Sequence, residues 1–269
     1  ERLSRGGVLT AGELLALSDL LRGCRRTGQY LLAKEAVAPL LANYSTSLTP
    51  LNDLEELIEL SIDGSRVSDN ASSRLKKVRQ LIRSLEDKIQ SSLQSLVQSW
   101  RQYLQDSYVS RRDGRFVLPV QAAFKNKVHD YVVGASGSGA TVFMEPVAIR
   151  KLTNELNILR SQEEQEEYQV LAMLSGESLN HLSAIRINIE TMAALDLIVA
   201  KGKFSRALNA ARVQVQPGVL RLCSAKHPLL APEQAVPLDL EMLGAVRTLV
   251  ITGPNTGGKT VTLKTVGLL

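Results

Sequence analysis

Between Ala71 and Gln105 the chain contains neither glycine nor proline, and its apolar residues fall at Leu75, Val78, Ile82, Leu85, Ile89, Leu93, Leu96, Trp100 and Leu104. Steps of three and four residues put them on one side of an α-helix. At 1.5 Å per residue the stretch predicts a helix of roughly 50 Å, longer than a compact domain of this size needs. A helix that is apolar on one side only must bury that side, so a second helix has to lie against it.

The segment 147–175 supplies that partner, with Leu152, Leu156, Leu159, Val170, Leu171 and Leu174. Charge is laid out to match. Residues 70–101 carry seven basic and two acidic side chains, and residues 154–177 carry one basic and six acidic ones. The run Glu163-Glu164-Gln165-Glu166-Glu167 then faces a basic helix, although any single glutamate reads equally well as a solvated surface charge. Exposed ion pairs contribute only ~0–1 kcal/mol each, so the pairing sets register and solubility rather than stability.

Ahead of this pair, residues 10–61 read as short helices in a compact bundle. Thr10-Ala11-Gly12-Glu13 is a capping-box pattern, followed by Leu14, Leu17, Leu20 and Leu21 on one face. A second helix is expected over 28–43, bending at Pro39. A third starts near Pro50, carries Leu54, Leu57, Ile58 and Ile62, and breaks at Ile62-Asp63-Gly64-Ser65. Ser68-Asp69-Asn70 offers N-caps for the long helix.

Between the paired helices the period changes. Residues 115–120, 128–133 and 141–144 are short and β-prone, separated by Asp113-Gly114, by 125–127 and by 134–139. They predict a small β-rich tip. The Gly/Ser loop 134–139 reads as a hairpin connection rather than a phosphate nest, because no helix follows it directly. A helix over 177–199 continues the chain. Beyond Ala210, strands at 213–215 and 219–222, punctuated by Pro217, Pro228, Pro232 and Pro237, open an α/β region.

Aromatic residues make up only 4% of the chain, so its cores are aliphatic. Cys24 and Cys223 stand far apart and not at metal spacing, which argues against a disulfide framework or zinc site and suits a reducing, cytoplasmic setting. No apolar run approaches the ~18 residues of a membrane span. The opening ERLSRGG, without Met, reads as the inside of a longer protein. The formal charge of +5 points weakly to a polyanionic partner. Seven basic against three acidic residues over 108–151 place part of that excess on the tip.

Near the end stands Gly253-Pro254-Asn255-Thr256-Gly257-Gly258-Lys259-Thr260, which fits the P-loop pattern G-x-x-x-x-G-K-[ST]. Leu249, Val250 and Ile251 suit a buried parallel strand before it, and a helix is expected to start after it. The order is chemical. Glycines let amides curl around phosphate oxygens, the helix N-terminus adds partial positive charge, Lys259 reaches the β- and γ-phosphates, and Thr260 offers its hydroxyl to Mg²⁺.

TGPNTGGKT, with Lys226-His227-Pro228-Leu229-Leu230 about 25 residues before it, resembles the start of the ATPase domain of the MutS family. RFVLPVQAAFKNKVHDYVVGASGSGATVFMEP resembles the MutS-two branch, which carries a C-terminal Smr nuclease domain. The resemblance covers nearly the whole chain. It implies a mainly α fold with a small β-rich tip: helical core over 1–67, first lever helix over 68–107, clamp-like tip over 108–146, and returning lever and core helices over 147–210. The beginning of an α/β P-loop ATPase domain over 211–269 completes it.

The same resemblance implies that ATP and Mg²⁺ are held by Gly253 to Thr260. His227 either lies near the base and ribose or is a structural histidine before a proline turn. Arg111, Arg112, Arg115, Lys125 and Lys127 are implied contacts to a nucleic-acid backbone, each equally readable as a solvated surface charge. The implied function is an ATP-driven homodimeric clamp on branched DNA, limiting recombination, or on stalled ribosomes. A structural coiled-coil ATPase is the alternative.

Phe143-Met144-Glu145 has the form of a mismatch-reading wedge, but it lies between the two helices, where Phe143 reads as core. No mismatch-recognition domain is visible. P-loop hydrolysis also needs an acidic residue on a later strand, and none of the nine residues after Thr260 is acidic. These residues alone are therefore expected neither to hydrolyse ATP nor to cut DNA.

Overall fold

Thr10 starts the first helix as the sequence dictates. In the computed structural model, which describes residues 2–112, 114–128, 130–231, 233–244, 246, 248–254 and 257–268, Thr10 caps helix α1 (Ala11–Leu32). Its hydroxyl accepts from the Glu13 amide, and the Glu13 carboxylate accepts from the Thr10 amide at 2.8 Å. Both amides are ones the helix cannot satisfy itself. Thr10→Ala is expected to lower stability by about 1 kcal/mol in urea unfolding, and an unchanged midpoint would show the cap to be dispensable.

The buried stripe of α1 runs Ala11, Leu14, Ser18, Leu21, Cys24. Gly28 continues it, and a Cβ there would lie 3.8 Å from Leu48. The separate helix expected over 28–43 does not form, because the stripe carries α1 straight through Gly28. Pro39 then opens helix α2 (Pro39–Ala42) at its first position, where a missing N–H costs nothing. Helix α3 (Asn52–Ser61) leads into strands β1 (Ile62–Asp63) and β2 (Arg66–Val67), a minimal hairpin at the expected break.

Helix α4 (Ser73–Ser99) is capped by Ser72, whose hydroxyl accepts from the Arg74 and Leu75 amides. The three expected caps are otherwise engaged or upstream; Asp69, for one, binds Arg79 and Arg83. At 27 residues α4 is about 40 Å long, shorter than the sequence spacing predicts. The reason is competition for backbone groups. Tyr103 and Gln105 bond to Gln121 and Pro119, and Leu104 bridges Val120, so residues 103–105 join the tip sheet instead of extending the helix.

That sheet comprises β3 (Ser110–Arg112), β4 (Arg115–Gln121), β5 (Tyr131–Ala135) and β6 (Thr141–Glu145), in the order β3-β4-β6-β5, every pair antiparallel. The expected turn residue Asp113 and His129 of the expected second strand lie outside the described residues. Helix α5 (Val147–Asn180) follows. Pro146 at its N-cap has no side-chain acceptor, and Asp130 takes the role by accepting from the Val147 amide at 3.0 Å.

Helix α5 runs antiparallel to α4. Arg79 pairs with Glu163 and Glu167 near one end, and Glu86 with Arg160 further along. Between them Ile82, Leu85, Ile89 and Leu93 pack with Ile149 and Leu156. A second cluster joins Leu14, Leu21, Leu54, Ile58, Leu75 and Leu174. A third, under the tip sheet, joins Leu104, Leu118, Val120, Val128, Val142 and Met144. Buried hydroxyls on α5 are satisfied locally: Thr153, Ser175 and Ser178 each donate to the carbonyl four residues back.

Helix α6 (Leu182–Ala207) starts five residues later than expected, because α5 runs on to Asn180. The described residues form two compact units, 1–193 and 194–269. In the second, strand β7 (Val219–Ala225) pairs antiparallel with β8 (Leu238–Leu243), a strand that sequence reading does not pick out. Two expected strands do not form. Val213 and Val215 are exposed and irregular, and Leu249, Val250 and Ile251 are 47%, 76% and 42% exposed. A buried parallel strand needs ladder partners, and among the described residues none pairs with 249–251. Pro232 lies outside the described residues. The chain is mainly α with small antiparallel sheets. Among the described residues no helix is long and apolar enough to cross a membrane.

Candidate functional site

The glycine loop runs directly into helix α7 (Lys259–Leu268). Gly253 has φ of +147° and Gly258 has φ of +75°, conformations that L side chains rarely adopt. The Gly257 amide donates to the Pro254 carbonyl at 3.0 Å, and the Thr262 amide closes the first helical turn on the Gly258 carbonyl at 2.9 Å. At a helix N-terminus the first amides find no acceptor within the helix itself. The Lys259 ammonium donates to the Gly253 carbonyl, folding back onto the loop's own backbone. Thr260 is exposed beside it. Asn255 and Thr256 lie outside the described residues.

This set fits a nucleoside triphosphate with its Mg²⁺: two glycines with backbone angles that other residues rarely adopt, a helix N-terminus, one lysine and one hydroxyl. His227 lies earlier in the same unit, and its Nδ1 accepts from the Leu229 amide at 3.2 Å, closing a turn around Pro228.

The five cations named from the sequence separate into two groups in the first unit. Arg111, Arg112 and Arg115 sit on the β3–β4 hairpin, with Arg111 opposite Phe116 and Arg112 opposite Arg115. Lys125 and Lys127 follow the single turn Ala122–Phe124. All five are exposed, and three are held on rings. The Arg111 guanidinium lies 4.6 Å from the Phe116 centroid, that of Arg112 3.5 Å from Phe143, and the Lys127 ammonium 5.7 Å from Phe124. A stacked guanidinium keeps its in-plane N–H groups available while losing little further freedom on binding. Arg115 pairs at 3.4 Å with Glu145, whose side chain is 2% exposed.

Phe143 is 7% exposed within β6, buried under Arg112 rather than projecting as a wedge. A fourth stack went unmarked in the sequence. The Arg150 guanidinium lies 4.4 Å from the Tyr131 ring, which is 56% exposed. The two stand nineteen positions apart, with no motif linking them. The pairing of Tyr131 with Glu145 and the docking of α5 at the end of β5, through Asp130, bring them together.

The sequence was next set beside those of known proteins. No family model matches the chain. Curated relatives do. Endonuclease MutS2 of Clostridium botulinum (strain Eklund 17B / Type B) is 39% identical over 273 residues, covering all of this chain and 35% of the relative. Endonuclease MutS2 of Shouchella clausii is 39% identical over 277 residues, again all of this chain and 35% of the relative. That of Caldanaerobacter subterraneus subsp. tengcongensis is 40% identical over 232 residues, 86% of this chain and 29% of the relative. The chain belongs to the MutS2 family. It spans about a third of the length of the curated relatives it matches, 35% for the first of them.

Proposed function

We propose that the chain is part of an ATP-dependent nucleic-acid-binding protein of the MutS2 kind, with residues 253–260 holding the nucleotide and the basic tip sheet contacting nucleic acid. The observation that carries the first half is the junction at Lys259, where Gly258, at a positive φ that side chains disfavour, leads without a spacer into a ten-residue helix. When bound, ATP·Mg²⁺ supplies a polyanionic triphosphate and a cleavable anhydride. The protein's own part is electrostatic. Amides of the loop and of the first turn of α7 present partial positive charge. Lys259, which here donates to the Gly253 carbonyl, would hold a phosphate oxygen, and the Thr260 hydroxyl would be offered to the metal ion.

Lys259→Ala is expected to weaken binding of a fluorescent ATP analogue about 10- to 100-fold, the value of one charge-assisted hydrogen bond, with little effect on unfolding. Unchanged affinity in the variant would overturn this assignment. His227 is proposed to border the nucleotide through its turn, and His227→Ala in the same titration tests it.

For the whole protein we propose a homodimeric clamp that acts on branched DNA to restrain recombination, or on stalled ribosomes. Cations directed at phosphates suit DNA and structured RNA alike. The endonuclease activity in the relatives' name is proposed for the whole protein, with no catalytic residue assigned to it in this chain. The coiled-coil reading is weakened by α4, whose 27 residues end in the tip sheet.

A further inference from the structure

We infer that the outward face of the tip sheet takes an unpaired nucleotide, stacking its base on Tyr131 while Arg112, Arg115 and Arg150 hold the flanking phosphates. This rests on the reading that the tip contacts nucleic acid and names the form of nucleic acid it prefers.

The register supplies the argument. Side chains alternate across a pleated sheet, so the pairings Arg112↔Arg115, Pro119↔Phe143, Tyr131↔Glu145 and Gly134↔Phe143 set Arg112, Arg115, Glu145, Tyr131 and Phe143 on a single face. The opposite face carries Leu118, Val120, Val142 and Met144 into the core. Strands lie about 4.8 Å apart, so from β3 to β5 the outward face spans about 14 Å.

On that face Arg112 crosses β4 to reach Phe143, its Nη1 passing beside Gly134. Arg115 is fixed by the buried Glu145, and Arg150 by Tyr131. Among the described residues two nearby carboxylates are already engaged, Glu145 with Arg115 and Asp130 with the Val147 amide. Cations therefore prevail at the surface. Tyr131 is the one exposed aromatic residue among those the register sets on this face, and Arg150 backs it. An aromatic ring beside a guanidinium within a basic surface is the arrangement that binds single strands, because every base has a π-face and stacked duplex bases do not offer theirs.

The test uses the whole chain and fluorescence anisotropy with three probes of equal phosphate number: an oligothymidylate, a blunt duplex, and a duplex with a single-stranded tail. Four proteins are compared: wild type, Tyr131→Ala, Tyr131→Phe and Arg150→Lys. The expected result is tighter binding to the two probes with unpaired bases. Tyr131→Ala should lose about tenfold on those probes and less than twofold on the duplex, Tyr131→Phe should retain binding, and Arg150→Lys should fall between. Tyr131 is exposed, so its truncation leaves the three apolar clusters intact, and thermal melting checks this directly. If Tyr131→Ala binds all three probes as wild type does, the stacking inference fails and the basic-sheet reading stands. Equal losses on all probes lead to the same conclusion. If wild type binds none of them, both fail.

Discussion

Reversing the charge of Arg111, Arg112, Lys125 and Lys127 to glutamate is expected to reduce nucleic-acid affinity at least about 100-fold at low salt, and to flatten the logarithmic salt dependence by about 3 to 4. Each cation that neutralises a phosphate releases a counterion, so the slope counts contacts while affinity at one salt concentration does not. Arg115 is left unchanged, because its partner Glu145 is buried and would otherwise be an unpaired charge inside the sheet. The loss should be the same for every base sequence, since these side chains are aimed at phosphates. If the slope is unchanged, the contact lies elsewhere, and the tip cations are merely solvated surface groups.

The largest effect on stability is expected from Arg79→Ala. The Arg79 side chain, 12% exposed, donates to the Val67 carbonyl at 2.8 Å and to Glu163 at 2.7 Å, and pairs with Asp69 and Glu167. One guanidinium thereby ties α4 to α5 and to the β1–β2 hairpin. Breaking a buried ion pair costs about 3–5 kcal/mol, but the carboxylates here are 28–38% exposed and regain water. The expected loss is therefore about 2–3 kcal/mol in urea unfolding.

The same node sets an acid limit. Hydrogen bonds from Arg79 and Arg83 hold the Asp69 carboxyl below the usual range. Its contribution is therefore fully present above the unfolded value of about 4 and is lost as pH falls through the lower folded value. Wild type should keep a level urea midpoint from pH 7 to about 5 and decline below about 4, and Arg79→Ala should decline less steeply. Equal declines would detach Asp69 from acid sensitivity.

What the sequence determined by itself was everything set by local chemistry or by a period. The Thr10–Glu13 capping box, the apolar stripe from Leu75 to Leu93, the partner stripe of α5, the three main tip strands and the glycine-loop junction at Lys259 each depend on residues a few positions apart. Their physical causes, orphan amides, one-sided burial and backbone angles that favour glycine, act over that same distance.

The tertiary structure decided where competing partners claimed the same backbone. Trp100 and Leu104 keep the helical period, yet residues 103–105 bond to β4, and the helix ends. Gly28 looks like a boundary, yet the stripe it continues packs against Leu48. Residues 249–251 have the composition of a buried strand and stay irregular, because a strand is made by its neighbours. The same holds for the sites. A P-loop lysine is legible in eight consecutive residues, whereas the stacks of Arg112 on Phe143 and Arg150 on Tyr131 join positions 31 and 19 apart that only sheet register and helix docking bring within reach.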